Sequence, residues 1–451
     1  MEHMTIETFS PESALQSLIE SCLKAGATDV DVAYGKSDGV SVDVREGKLE
    51  GIERSEAQGV ALRCFVGQQQ ASVSGSDISQ DGLNTLAERC VAMAKAVPAD
   101  PYCGLTPRSD LATDLPNLDL TGDGEIDADI LEREAIEAEA AALAVDGVKQ
   151  VSSCGNGWSQ SERWIAASNG FSAYKKSGST GLGLAAIAER DGAMERDYAS
   201  RSARRLEDRP SPAEIGRIAG ERTVARLAPR QIRTQTASVI YDRRVASSLL
   251  GAFLGAISGP SVARGVSFLK DSLGEQVFTK GLNIIDDPFR ARGMGSRAHD
   301  GEGRPVQKAA LIDDGVLTRW LLNGASAKQL KLTPNGYGSG GFGNTPGVGV
   351  SNAYIEAGTK TQESLRQDVG KGLLVTDMFG PSINPNTGDY SVGVAGFWFE
   401  NGEIQHPVSE VTIAGDLPSM FARMVPASDL EFRGSRDAPS ILIEDMSIAG
   451  E

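Results

Sequence analysis

Alternation with a period of two residues is the feature that most restricts what this chain can become. In 30-VDVAY-34, 40-VSVDV-44, 59-GVALRCFV-66 and 71-ASVSGS-76, apolar side chains recur on every second position. An extended backbone sends such residues to one face, so these segments predict four consecutive antiparallel strands. Ahead of them Leu15, Leu18, Ile19, Cys22 and Leu23 recur at helical spacing and predict an amphipathic helix over 11–26 that stops at Gly26. A second helix is predicted over 79–96, and the Pro- and Asp-rich stretch 98–120 reads as an internal linker. The same order then recurs. An acidic helix at 127–145 leads into strands near 148–154, 163–168, 171–176 and 181–189. After them 211-SPAE-214 opens another helix, with Ser211 as cap, Pro212 in the first turn and Glu214 completing a capping box. Helix, meander, helix, twice over, reads as a decayed duplication or as a common α+β arrangement, and the second reading is adopted.

From about 231 the composition shifts towards glycine and strand. A DG turn divides 309-AALIDDGVLTRWLL-322, and an NG turn at Asn401-Gly402 predicts a hairpin within 396–408. Further strands are predicted at 280–286, 372–377, 389–395 and 410–415, with one helix at 245–258 and another starting near Pro418. The chain has 451 residues, too many for one ordinary core. The fold class predicted is α+β. Residues 1–230 form an N-terminal region of helices packed on antiparallel sheet, divisible into two sub-units near 98–126. Residues 231–451 form a β-rich C-terminal domain with few helices.

Composition excludes several function classes. Lys and Arg number 44 against 61 Asp and Glu, a net charge of −17. A duplex-binding face would need a dense basic patch against that background, and the densest candidate, 201-RSARRLEDRP-210, is interrupted by acids. Nucleic acid is therefore not an expected partner. No apolar run approaches the length of a membrane span, and the first residues lack a signal-peptide pattern, so a cytoplasmic protein is expected. Cys22, Cys64, Cys90, Cys103 and Cys154 are scattered and never paired as CxxC, which fits free thiols better than bridges or zinc clusters.

Four motifs invite chemistry. Residues 338-GSGGFG-343 satisfy GxGxxG, but Asn344-Thr345-Pro346-Gly347 cannot open the helix that a pyrophosphate needs, so a flexible loop, either lining a cavity or approaching a neighbouring backbone, is expected. Residues 119-DLTGDGEIDADI-130 imitate a calcium loop, yet Ile130 stands where the bidentate Glu belongs, and a turn leading into a helix is expected. His3, His299 and His406 have no G-x-S-x-G elbow to serve, and no cysteine lies in the half of the chain that holds His299 and His406. Asp286, Asp287, Asp300 and Glu302 could gather around a hard metal ion, although acids in such turns usually cap backbone amides.

The phrases from 245 onward carry a resemblance. FLKDSLGEQVF (268–278), IIDDP (284–288), GSRAHDGEG (295–303), DDGVLTRWLLNGASAKQL (313–330), TPNGYG (333–338), NPNTGDYSVGVAGFWFENGEIQHPVSEVTIAG (384–415) and APSILIEDMSIAG (438–450) look like the TldD/PmbA family, and the likeness covers essentially the whole chain. In that family, TldD-type subunits carry a His-Glu-x-x-x-His helix and a later cysteine that bind zinc, and PmbA-type (TldE) subunits lack them. This sequence resembles the PmbA branch. The motif's histidines fall on Leu250 and Gly255 and its glutamate on Gly251, while 429-DLEFRGSRDAPS-440 has no counterpart of the cysteine. Leucine and glycine offer no metal donor and no general base. Two glycines in a helix interior cost up to about 1 kcal/mol each relative to alanine, so they are expected to let another helix or strand come close.

The resemblance implies one subunit of a heterodimeric zinc protease that acts on unfolded peptides. Neither catalytic nor metal-binding residues would lie in this chain; the zinc belongs to a TldD-type partner. The family's old label, modulator of DNA gyrase, would reflect a peptide toxin rather than DNA contact. Exposed sheet edges are expected to hold substrate as an added strand. Candidate contacts are Asn335, Gly336, Tyr337 and Asn344 in one loop and Asn384, Asn386 and Asp389 in another. The competing expectation is a stand-alone homodimeric peptide-binding or scaffold protein. A third keeps activity in the chain through the acids around Asp286 and Asp300.

Overall fold

The computed structural model describes residues 10–451, which leaves His3 outside. Helix α1 (Pro11–Lys24) starts where the Ser10 hydroxyl accepts a hydrogen bond from the Ser13 amide. Strands β1 (Asp29–Arg45), β2 (Lys48–Val66) and β3 (Gln69–Gly75) follow, then α2 (Gln80–Ala96), capped by Ser79. The second unit is α3 (Ala128–Leu143), β4 (Val148–Ala167), β5 (Ser172–Arg190), β6 (Ala193–Ala203) and α4 (Pro212–Ala225), with Ser211 as the cap of α4.

Several short predicted strands are pieces of long ones. Segments 30–34 and 40–44 belong to β1 alone, because the intervening 35-GKSDG-39 is hydrogen-bonded on both sides, to β2 and to β4. Two flanking ladders keep a stretch extended that has no apolar alternation of its own. Likewise 148–154 and 163–168 merge in β4, and 171–176 and 181–189 merge in β5. Strand β6 escapes the sequence pattern, since one of its buried positions is a carboxylate, Asp197.

All six strands form one antiparallel sheet in the order β3-β2-β1-β4-β5-β6, symmetric about the β1–β4 pair. The order is symmetric because each half contributes one helix–meander–helix unit. The linker 98–120 joins the halves of a single sheet. Val30, Val32, Val40, Val42 and Val44 of β1 share a face, and the helices cover it: α1 and α2 over one half, α3 and α4 over the other. The opposite face, with Ala33 and Ile165, receives Phe342 from the C-terminal half.

That half begins with β7 (Gln235–Tyr241), α5 (Arg243–Ala256) and α6 (Gly259–Ala263). Short elements follow: β8 (Ile284–Asp286), β9 (Ala309–Asp313), β10 (Val316–Leu317), α7 (Gly324–Leu330), β11 (Gly338–Ser339), β12 (Gly347–Val348), β13 (Ala353–Ile355) and α8 (Gln362–Val369). Three long strands come next, β14 (Lys371–Ile383), β15 (Asp389–Glu400) and β16 (Glu403–Asp416). The chain closes with α9 (Leu417–Phe421), β17 (Val425–Pro426), β18 (Arg436–Asp437) and β19 (Ile441–Ala449). Strands β16, β15, β14, β7 and β19 pair in that order, and β16 pairs back onto β19, which closes a small barrel. The predicted NG hairpin joins β15 to β16, with Asn401 and Gly402 at φ +52° and +78°, as a primed turn requires.

Candidate functional site

Helix α5 follows β7 directly, and the Asp242 carboxylate caps it by accepting from the Arg244 amide at 2.9 Å. One face carries Leu249, Leu250 and Phe253 into the barrel core, and Leu250 is only 1% exposed. The expectation that Gly251 and Gly255 admit a closely packed neighbour is overturned. Gly255 is exposed, and a Cβ built on it would meet nothing within 4 Å. A Cβ on Gly251 would meet only the tip of Arg436, at 3.8 Å. Residues four apart share a helix face, and this face is open.

An unpaired strand edge runs beside it. β7 pairs with β14 only from Gly372 to Val375. From Thr376 to Ile383, the side of β14 away from β15 has no partner strand among the described residues. The Ser248 hydroxyl of α5 donates to Met378 Sδ on that stretch at 3.5 Å. Phe379 and Ile383 on the same strand are 50% and 38% exposed. Free backbone amides and carbonyls with exposed apolar side chains are what an added strand takes up.

Arginines gather at the N-terminal part of α5. A cavity of about 310 Å³ is lined by Arg201 of β6, Arg222 of α4, Arg243 and Arg244 of α5, and Arg433 and Arg436 of the 429–440 segment. Arg244 is committed to Asp197 through two bonds, of 2.7 and 3.1 Å. Arg201, Arg243 and Arg433 converge on one carboxylate, Glu431, with Arg243 at 3.1 Å. Arg222 bonds the Tyr198 carbonyl at 3.2 Å. Burial, with repulsion from Arg433 and Arg243, pulls the Arg201 guanidinium down to about 10, and burial beside Arg244 does the same to Arg222. A second cavity of about 470 Å³ shares Arg201, Glu431 and Arg433 and adds Arg204, Arg290 and Arg292.

Comparison with known proteins assigns this architecture. Three family models match in tandem: PmbA/TldA metallopeptidase domain 1 over residues 30–94, the central domain over 123–227 and the C-terminal domain over 234–450. The metalloprotease PmbA of Escherichia coli O157:H7 is 35% identical over 445 residues, 98% of this chain and 96% of that one. The chain belongs to the PmbA/TldD metallopeptidase family. A PmbA homologue from Haemophilus influenzae is 33% identical over 97% of this chain and 95% of its own length. Two solved structures share the fold. One is a candidate modulator of DNA gyrase from Bacteroides thetaiotaomicron, with a TM-score of 0.90 at 24% identity over 98% of this chain and 99% of that one. The other is TldE from Thermococcus kodakarensis, with a TM-score of 0.85 at 20% identity over 97% of this chain and all of that one (100%).

In this PmbA/TldD member, the positions that the resemblance assigns to zinc ligands do not fit the ion. Leu250 is in the core, Gly251 and Gly255 have no side chain, and 429–440 presents arginines instead of a thiol. Among the described residues, no three His, Cys, Asp or Glu side chains are grouped to hold a metal. The acids of the 284–302 region hold backbone amides. Asp286 accepts from the Ser351 amide, and Asp300 from the amides of Glu302, Arg304 and Gly338. Glu302 accepts from the Gly324 amide, and Asp287 accepts from the Phe289 amide and pairs with Lys308. Burial raises the Asp286 carboxyl to about 6 and also raises Asp300 and Glu302.

The predicted contact residues divide into two kinds. Asn335 spends its amide on the Leu322 amide and the Trp320 carbonyl, Gly336 turns at φ +82° against Pro305, and Tyr337 is buried. Asn344, Asn384, Asn386 and Asp389 are exposed, the last three at the tip of the β14–β15 hairpin. Gly341 and Gly343 of the GxGxxG stretch lie against the backbone of Gly301 and Ala61, and the Gly343 amide donates to Asp31 at 2.6 Å. No helix follows; the loop both approaches neighbouring backbone and, through Ser339, Gly340 and Phe342, lines a cavity. In the calcium-like loop Asp119 pairs with Arg205 and Arg292, and Glu125 with Arg54. His299 lies against Phe171 on the wall of a cavity of about 480 Å³, and burial lowers its pKa. His406 sits in β16 beside Trp398. The five cysteines are free, all but Cys103 buried.

Sequence reasoning missed the arginine cluster. Its members come from four elements spread over 236 positions, from 201 to 436, and no local pattern joins them. The available signal was Arg243-Arg244 and Arg433-x-x-Arg436, flanking the two places where the zinc motif is missing.

Proposed function

We propose that this chain is the PmbA/TldE-type subunit of a heterodimeric zinc metalloprotease and contributes a peptide-holding surface while a TldD-type partner supplies the metal. The observation that carries this reading is the side-by-side placement of α5, with Leu250, Gly251 and Gly255 at the motif positions, and the unpaired edge of β14 from Thr376 to Ile383. A peptide laid on that edge crosses the open glycine face. The occupant is an unfolded segment, because only an extended backbone free of its own partners can add to a sheet. Asn344, Asn384, Asn386 and Asp389 are the contact candidates with exposed side chains. No helix among the described residues is long and apolar enough to cross a membrane, and free thiols accord with a reducing, cytoplasmic setting.

The test is size-exclusion chromatography with elemental analysis, on the chain alone and mixed with a TldD-type subunit. Zinc and chelator-sensitive cleavage of an unstructured peptide are expected only in the co-eluting mixture. Stoichiometric zinc in the lone chain would overturn the reading. So would separate elution without gain of peptidase activity, which would favour a stand-alone homodimeric binding protein.

A further inference from the structure

We infer that the arginine cluster beside α5 is a carboxylate-binding pocket that recognises an acidic residue of a bound peptide. Three observations carry this. First, cations exceed anions. Six arginines line the cavity, and the acids facing them are Glu431, Asp437, Asp197 and Asp242; Asp197 and Asp437 also pair with Arg226 and Arg290, and Asp242 caps α5. Arg436 is exposed, and among the described residues its side chain has no ion pair or hydrogen bond, while that of Arg222 bonds only a backbone carbonyl. In a chain of net charge −17, a concave surplus of guanidinium is a strong local inversion.

Second, guanidinium atoms are left without partners. Arg201 Nη1 and Arg433 Nε are buried and have no hydrogen-bond partner among the described residues. Buried donors of this kind are normally satisfied, and an unsatisfied one calls for an occupant. Like charges also face one another here, since burial and then the neighbouring arginines disfavour the charged form of Arg201. An entering anion relieves both costs.

Third, Glu431 shows which anion the geometry accepts. Its carboxylate already receives Arg201, Arg243 and Arg433 from three different elements. The planar fork of guanidinium matches a carboxylate in two-point contact. The pocket lies on the same helix as the open β14 edge: Arg243, Arg244 and Ser247 line it, Ser248 touches Met378, and Arg436 reaches Gly251. A peptide on that edge can therefore extend a carboxylate into the cluster. This placement rests on the proposed peptide-holding role, whereas the anion site itself does not.

The experiment is fluorescence anisotropy with the full chain, without partner, using a labelled unstructured peptide rich in Asp and Glu. Its comparators are an Asn/Gln version and a version with an amidated C-terminus. The acidic peptide should bind about tenfold or more tighter than the Asn/Gln version, as the loss of a charge-assisted pair implies. The preference should shrink with added salt. Amidation separates the sources: unchanged affinity assigns the site to side-chain carboxylates, as inferred, whereas affinity lost on amidation would assign it to the α-carboxylate and overturn the inference. Arg436→Gln and Arg222→Gln should each erase most of the preference. Glu431→Gln should raise acidic-peptide affinity by severalfold, an outcome that damage to the fold would not give. Equal binding of acidic and neutral peptides, or a phosphate-bearing oligonucleotide outcompeting the peptide, would overturn the inference. Neither result bears on zinc or on co-elution with a TldD-type subunit, so the two proposals fail separately.

Discussion

Helices α4 and α5 carry the same small-residue pattern and use it in opposite ways. In α4 the glycines are Gly216 and Gly220, and in α5 they are Gly251 and Gly255, each pair four residues apart. Gly216 and Gly220 are buried, and side chains there would collide with the α3 backbone at Ala138 and Ala142. Ala135, Ala138 and Ala142 of α3 are fully buried, so that helix pair meets almost backbone to backbone. On α5 the glycines face open space and the tip of a single side chain, Arg436. Spacing alone does not distinguish a contact stripe from an open face. What differs is the surroundings: α4 is clasped between α3 and the sheet, whereas α5 has a core on one side only.

The contrast can be broken by substitution, and the largest effect belongs to the buried face of α5. Leu250→Ala should lower stability by about 3 kcal/mol, read from urea unfolding, because it empties a site that is almost fully enclosed. A cost well under 1 kcal/mol would mean that the core does not reach this face. Next comes Gly216→Ala, where the added methyl group meets the Ala138 carbonyl and forces α3 and α4 apart. Overpacking of that kind costs about 2 kcal/mol, offset only in part by the better helix propensity of alanine. Gly220→Ala should cost about 1 kcal/mol, since the nearest atom, 2.8 Å away, belongs to the Val145 side chain and can yield. The smallest change has the opposite sign. Gly255→Ala should stabilise the protein by about 0.5–1 kcal/mol, with a matching rise in thermal midpoint, because it adds helix propensity and touches nothing. A destabilised Gly255→Ala variant would show that this face is covered in solution.

Much of the architecture was legible one element at a time. The cap at Ser211, the turn at Asn401-Gly402 and the helical spacing of Leu15, Leu18 and Ile19 are local, and each stands where its residues predict. Strand length was not legible. The segment 35-GKSDG-39 reads as a break, yet β1 runs through it, since two neighbouring strands satisfy its backbone from outside. The GxGxxG loop was legible as the wrong context for a nucleotide, and its docking on Ala61 and Asp31 follows from the close backbone approach that glycine permits. The acids at Asp286 and Asp300 could have bound an ion or capped amides. Only the positions of the Ser351, Arg304 and Gly338 amides decided between these, because a carboxylate goes to whichever donors the fold brings within reach.

The sequence by itself determined membership in a family, the period and order of its elements, and the lack of metal donors at Leu250, Gly251 and Gly255. These are properties of side-chain identity and near-neighbour spacing, which need no partner to define them. Tertiary structure alone decided that two helix–meander–helix units share one sheet, that the α5 glycines face open space, and that six arginines between 201 and 436 line one cavity with Glu431. Each depends on contacts between residues remote in sequence, and such contacts exist only once burial of the apolar faces has fixed where every element sits.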